Sequence, residues 1–262
     1  MLENKCIQFK NNADSQQGLY FYGDIVSDEM DKWTSTDTCP QDIQDILNQI
    51  DANKPLNIYI NSGGGSVFAG LAIYNMLKRS PCNKTVYVDG LAGSIASVIA
   101  MAGDKIVMPS NSFLMIHKPS CDIAGNSNDI RKMADDLDRI QEGILNVYAE
   151  KLAKDCSMDT IKQMVNNETW IVGSEASKYF NVEVVQSNKA VASVSNLNNY
   201  KHVPDAFKEM KNDKNTDTGC MCNQCSLADK CSKGNMANNK QCDNIVKEEL
   251  EKLKAKLELE LL

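Results

Sequence analysis

From Gly18 onward the chain alternates between two hydrophobic rhythms. "GLYFYGDI" reads as a strand, and "CPQDIQDILNQID" shifts to helical spacing, with apolar residues at Ile43, Ile46, Leu47 and Ile50. "PLNIYI" is a short apolar run suited to a buried strand, and "SVFAGLAIYNMLKRS" returns to helical spacing with Val67, Leu71, Tyr74 and Leu77 on its inward face. "KTVYVDG" follows as a strand, "SIASVIAMAG" as a helix, and "KIVM" and "SFLMIH" as further strands. Such repetition predicts an α/β fold with parallel pairing through right-handed crossovers. A long helix over about 128–152 comes next, its stripe formed by Ile130, Met133, Leu137, Ile140, Ile144 and Val147. So long a stripe suits a helix that projects from the sheet or packs on another subunit, and equally one that covers the core alone. After residue 186 the rhythm stops. Residues 187–219 are polar and small and read as a flexible, mostly disordered linker; 220–242 are cysteine-rich. Within 243–262, Val246, Leu250, Leu253, Leu257 and Leu261 predict an amphipathic helix of the oligomerising or partner-binding kind. Residues 1–17 form an N-terminal segment, and 18–186 the main body.

The net charge of −7 removes electrostatic support for nucleic-acid binding. No apolar run approaches the length of a membrane span, and the first residues lack a charged-then-apolar leader, so a cytoplasmic location is expected. The ten cysteines change the picture only at the tail. Cys6, Cys39, Cys82, Cys121 and Cys156 are scattered and expected as free thiols. Cys220, Cys222, Cys225 and Cys231 stand at metal-site density but without paired C-x2-C spacing; a metal site and free or oxidisable thiols both remain open.

Two glycine-rich stretches carry the candidate chemistry. In "YVDGLAGSIASVIAMAG", Ser94 stands at a strand-to-helix joint among small residues, either as a helix N-cap or as a nucleophile on a sharp turn. In "YINSGGGSVFAG", three glycines open a helix whose first amides are unpaired; the stretch lacks the Lys-Ser/Thr of a phosphate loop, and the other use is an oxyanion hole. His117, one of two histidines, ends an apolar strand, where parallel sheets place their sites. The other, His202, lies in the polar linker and reads as bland.

Residues from about Gly18 to Val185 resemble the proteolytic subunit of Clp protease. "INSGGGSVFAGLAIYNML" is similar to that family's "INSPGG" segment and following helix, with Gly63 where proline is usual. "GLAGSIASVIAMAG" resembles "GQAASMGAFLLAAG", placing the family serine on Ser94 and an alanine position on Ser97. "SFLMIHKP" resembles "RVMIHQP", placing the histidine on His117. "NETWIVGSEASKYFNVEVV" aligns with "RDRFLSAPEAVEYGLVD", so the family aspartate falls on Glu168, whose alternative reading is a surface carboxylate before a helix. "LYFYGDI", "GGGSVFAG" and "NNETWIVGSEA" further resemble Clp-like head-maturation (prohead) proteases of tailed bacteriophages.

The resemblance implies a ClpP/crotonase-like fold of repeated β-β-α crossover units. It implies a serine endopeptidase with Ser94 as nucleophile, His117 as general base and acid, and Glu168 orienting the imidazole. The backbone N–H groups of Gly65 and Ile95 would bind the oxyanion, and no cofactor is required. It further implies polypeptide substrates (scaffold or capsid chains), a homo-oligomeric ring, no nucleic acid and no membrane. Three alternatives stand: a general Clp-type peptidase subunit working with an unfoldase, an enoyl-CoA hydratase-like thioester enzyme, and an inactive capsid component on a degenerate protease fold.

Overall fold

A computed structural model describes residues 17–186 together with His202 and Val203. The predicted linker, the cysteine-rich segment and the terminal helix otherwise lie outside the described residues, as does the N-terminal segment up to residue 16. The order is β1 (Gln17–Phe21), α1 (Pro40–Leu47), β2 (Leu56–Ser62), α2 (Val67–Arg79), β3 (Lys84–Gly93), α3 (Ile95–Ala100), β4 (Lys105–Pro109), β5 (Phe113–Ile116), α4 (Ser127–Ala149), α5 (Met158–Asn166), β6 (Thr169–Val172), α6 (Gly173–Ala176) and β7 (Glu183–Val185).

The seven strands form one sheet in the order β1-β2-β3-β4-β7, with β5 pairing β3 and β6. Every pairing is parallel except β5 with β6, which is antiparallel. Strand β3 serves two neighbours in succession: Thr85–Tyr87 pair with β4, and Leu91–Gly93 pair with β5. The fork lies just before the serine turn. It also carries β3 three residues past the predicted end at Gly90, because Leu91 and Ala92 are fully buried and Gly93 packs against Gly63.

Burial explains the elements. In β2, Leu56, Ile58 and Ile60 point into the core while Asn57 and Tyr59 are half-buried. On the half-buried side Tyr20, Tyr59 and Tyr87 are in cross-strand register and stack, with centroids 4.7 and 5.2 Å apart. Helix α2 buries Ala69, Gly70, Ile73, Tyr74 and Leu77. Val67 and Leu71, placed on the inward face by their spacing, are only partly buried, because the helix meets α3 through its small residues. Helix α4 is capped by Asn126, whose Oδ1 accepts the N–H groups of Asn128 and Asp129, and which donates its own N–H to Asp129. Its apolar stripe divides: Ile144, Leu145, Val147 and Tyr148 are in the core, whereas Ile130 is 48% exposed and Met133 and Leu137 are half-buried. The helix therefore covers the core with its last turns and projects with its first. Among the described residues no helix is long and apolar enough to cross a membrane.

Candidate active site

Ser94 follows β3 directly and caps α3 with φ 51° and ψ −126°. A non-glycine residue at positive φ costs about 1–3 kcal/mol and persists only where its surroundings over-determine it. Here they do. Ser94 donates its N–H to Met115 O on β5 at 2.8 Å, and its carbonyl accepts the Ser97 N–H at 3.0 Å and the Ser97 hydroxyl at 2.5 Å. Ser97 Oγ lies 2.7 Å from Tyr148 Oη, so the last turns of α4 brace the serine turn from behind. The small residues around the turn have a steric cause. A Cβ on Gly64 would stand 2.7 Å from Gly93 O and 2.8 Å from Ser94 Cβ, and one on Gly70 would stand 2.2 Å from the Ile95 side chain.

Parallel pairing of Leu91–Gly93 with Phe113–Met115 runs β3 and β5 side by side into the site. His117, one residue past β5, thereby meets Ser94, with Nε2 2.7 Å from Oγ. The antiparallel register of β5 with β6 pairs Ile116 with Thr169, and its continuation brings Glu168 beside His117. Glu168 also has positive φ, 48°, at the turn between α5 and β6. Burial lowers the pKa of His117 below the usual imidazole value, and the opposing charge of Glu168 raises it; burial prevails. The imidazole is thus held neutral at pH 7, the state in which it accepts a proton.

Ile25 donates its N–H to Gly64 O at 2.9 Å and accepts the Ser66 N–H at 2.7 Å. These two bonds bracket Gly65 and turn its own N–H away from Ile25; a Cβ at Gly65 would lie 2.1 Å from Ile25 O, and its φ is 147°. Ser62 Oγ donates to Gly23 O at 2.6 Å and accepts the Gly64 N–H at 3.1 Å, fixing the loop. The N–H of Ile95 opens α3, where no helical acceptor exists for it. Two backbone donors thus belong to the two chain segments that meet at Ser94.

His202 is the residue that sequence reading missed. Its backbone N–H donates to Glu168 Oε1 at 2.6 Å. A backbone donor leaves no trace in side-chain pattern, and its position in a polar stretch hid it. Ser97, read as secondary to Ser94, is fully buried with its hydroxyl engaged. The four candidate cysteine ligands, Cys220, Cys222, Cys225 and Cys231, lie outside the described residues. Among the described residues Glu29, Cys39 and Asp42 cluster within 4.8 Å, but Lys32 Nζ sits 2.7 Å from both carboxylates and supplies the cation.

A family model for Clp protease matches residues 14–189. Proteolytic subunit 3 of the ATP-dependent Clp protease of Streptomyces coelicolor is 32% identical over 167 residues, covering 62% of this chain and 75% of that one. Subunit 2 of Corynebacterium diphtheriae is 30% identical over 167 residues, with 63% and 79% covered. The proteolytic subunit of Bacteroides fragilis is 31% identical over 146 residues, with 55% and 69% covered.

Proposed function

The chain belongs to the Clp protease family, and from that premise we propose that it is a serine endopeptidase working through Ser94, His117 and Glu168. The observation that carries the reading is the 2.7 Å contact between Ser94 Oγ and His117 Nε2 on a strained turn. Ser94 Oγ attacks the peptide carbonyl carbon as its proton passes to Nε2. The oxyanion forms against the N–H groups of Gly65 and Ile95, each such donor contributing about 3–4 kcal/mol to the transition state. His117 returns the proton to the leaving amine, and water cleaves the acyl-enzyme by the same route in reverse. Glu168 holds the imidazole tautomer and stabilises the imidazolium. A carboxylate one methylene longer than the family's aspartate can serve if its rotamer is fixed.

The test is labelling with a serine-directed phosphonate, followed by peptide cleavage. The parent chain is expected to label on Ser94 and to cleave, and Ser94→Ala to do neither while keeping its fold. Activity retained in Ser94→Ala would overturn the assignment. A thioester hydratase would not label.

For the substrate we propose scaffold or capsid chains of a tailed phage, supported by the "LYFYGDI", "GGGSVFAG" and "NNETWIVGSEA" segments. A second reading, a general peptidase subunit fed by an unfoldase, is favoured by the relatives' names as ATP-dependent Clp protease subunits. Mass-spectrometric mapping of cuts in capsid and scaffold chains, with and without an unfoldase, separates the two. The half-exposed Ile130 at the projecting end of α4 supports assembly into a homo-oligomeric ring.

A further inference from the structure

Glu168 has one more rotatable bond than an aspartate would bring to this position, so its carboxylate needs an additional anchor to stay against His117. One of its oxygens already has one. His202 gives its backbone N–H to Oε1 at 2.6 Å, across 34 residues of sequence. The next residue, Val203, is only 7% exposed, so this short segment is seated by an apolar side chain as well as by the hydrogen bond. Pro204 follows in sequence and confines Val203 to extended backbone, which stiffens the segment at that point. His202 and Val203 also lie beyond the stretch that matches the Clp protease family, residues 14–189.

We propose that the His202–Val203 segment positions the active site: the His202 N–H fixes one carboxylate oxygen of Glu168, leaving the other to face the imidazole. This rests on the triad reading above. His202 acts through Glu168 and touches neither substrate nor reacting atoms, so it is a positioning residue, and its side chain is dispensable. The longer acid and the added N–H form a matched pair, each accounting for the other.

The experiment uses the full chain and two substitutions at one position. His202→Pro removes the N–H; His202→Ala keeps it. His202→Pro is expected to lower kcat by about ten-fold or more with KM little changed, since misplacement at a reacting group acts on the chemical step. The acid limb of its pH–kcat profile should move to lower pH, because the Glu168 charge that raises the His117 pKa is no longer held in place. His202→Ala should match the parent. Val203→Asp, which unseats the segment without altering the amide, should reproduce the His202→Pro loss. In a Glu168→Ala background His202→Pro should add nothing. Independently of activity, hydrogen exchange at the His202 amide should be slow in the parent and fast in Glu168→Ala. Parent-like kcat in His202→Pro, or an exchange rate unchanged by Glu168→Ala, would overturn the proposal. A parent chain that fails to label at Ser94 while its His202 amide responds to Glu168→Ala would overturn the triad reading and leave the contact standing.

Discussion

The brace behind the nucleophile turn can be tested by its asymmetry. Tyr148 Oη and Ser97 Oγ are 2.7 Å apart, and both residues are essentially inaccessible to solvent. Ser94 O can only accept, so Ser97 must donate to it. Its single proton is then used, and Tyr148 must be the donor to Ser97. Burial raises the pKa of Tyr148, so it keeps that proton under all working conditions. The two deletions therefore differ. Ser97→Ala leaves a buried phenol with nothing to receive its proton, at a cost of about 1–3 kcal/mol. Ser94 O still has the Ser97 N–H at 3.0 Å and is not orphaned. Tyr148→Phe only removes one bond accepted by a hydroxyl whose own donation continues, at about 0.5–1.5 kcal/mol. Removing both partners deletes the unsatisfied group, so the double variant should be less destabilised than the sum of the singles, by about 1 kcal/mol. Urea unfolding at fixed protein concentration reads all three midpoints, with unchanged slope. Peptide cleavage by Ser97→Ala should stay within a few-fold of the parent, since its hydroxyl is engaged by Ser94 O and Tyr148 Oη and the Ser97 N–H still holds Ser94 O. A parent-like midpoint for Ser97→Ala, or strict additivity in the double variant, would refute the hydroxyl ordering.

Gly64→Ala should abolish cleavage with a smaller loss of stability, because its φ of 102° and its contacts at 2.7 and 2.8 Å with the Ser94 turn force the loop away; kcat beside a thermal melt measures both. For pH dependence, the folded chain holds His117 below its unfolded pKa, so the unfolded chain binds more protons between the two values. That contribution to stability is present above about pH 6.5, the unfolded imidazole value, and is lost as pH falls through the folded value. The half-point of the acid limb of cleavage should accordingly lie below about pH 6.5, whereas a half-maximal rate above pH 7 would contradict the burial argument. Ile130→Glu, on the projecting turns of α4, should reduce the oligomer measured by light scattering while leaving the melting temperature of the dissociated subunit unchanged.

Legibility in the sequence followed the strength of the apolar signal. Strand β2 and the first half of β3 were plain, because Ile58, Ile60, Val86 and Val88 alternate with outward residues. The second half of β3, "LAG", carries little β-propensity and is strand only because Leu91, Ala92 and Gly93 pair with β5. The inward face of helix α2 is legible at Tyr74 and Leu77, which are buried, but not at Ala69 and Gly70, which make the close contact while Val67 and Leu71 stay partly buried. Helix α5 and strands β6 and β7 went unassigned. Four residues, "TWIV", cannot announce an antiparallel partner for β5, although that pairing is what brings Glu168 to His117. Ser94 and His117 were identifiable from motif and element position, and the structure brings them into contact. The His202 contact was illegible, because it uses an atom every residue but proline possesses.

The fork in β3 has a mechanical consequence. Thr85–Tyr87 are laced to β4, and so to the body of the sheet, whereas Leu91–Gly93 are laced to β5, which carries only β6 on its far side. Ser94, His117 and Glu168 all stand at the end of this narrow annex, beside three strands bonded in series, of which β3 is also held by the end of β2. Local opening of a protein proceeds by hydrogen-bonded neighbourhoods. Because Ala92 also pairs with Ser62 and the Leu91 N–H reaches Asn61 Oδ1, the end of β2 and the glycine loop that follows it are moored to the same annex, so when it moves the three groups and the Gly65 amide travel as passengers on one raft.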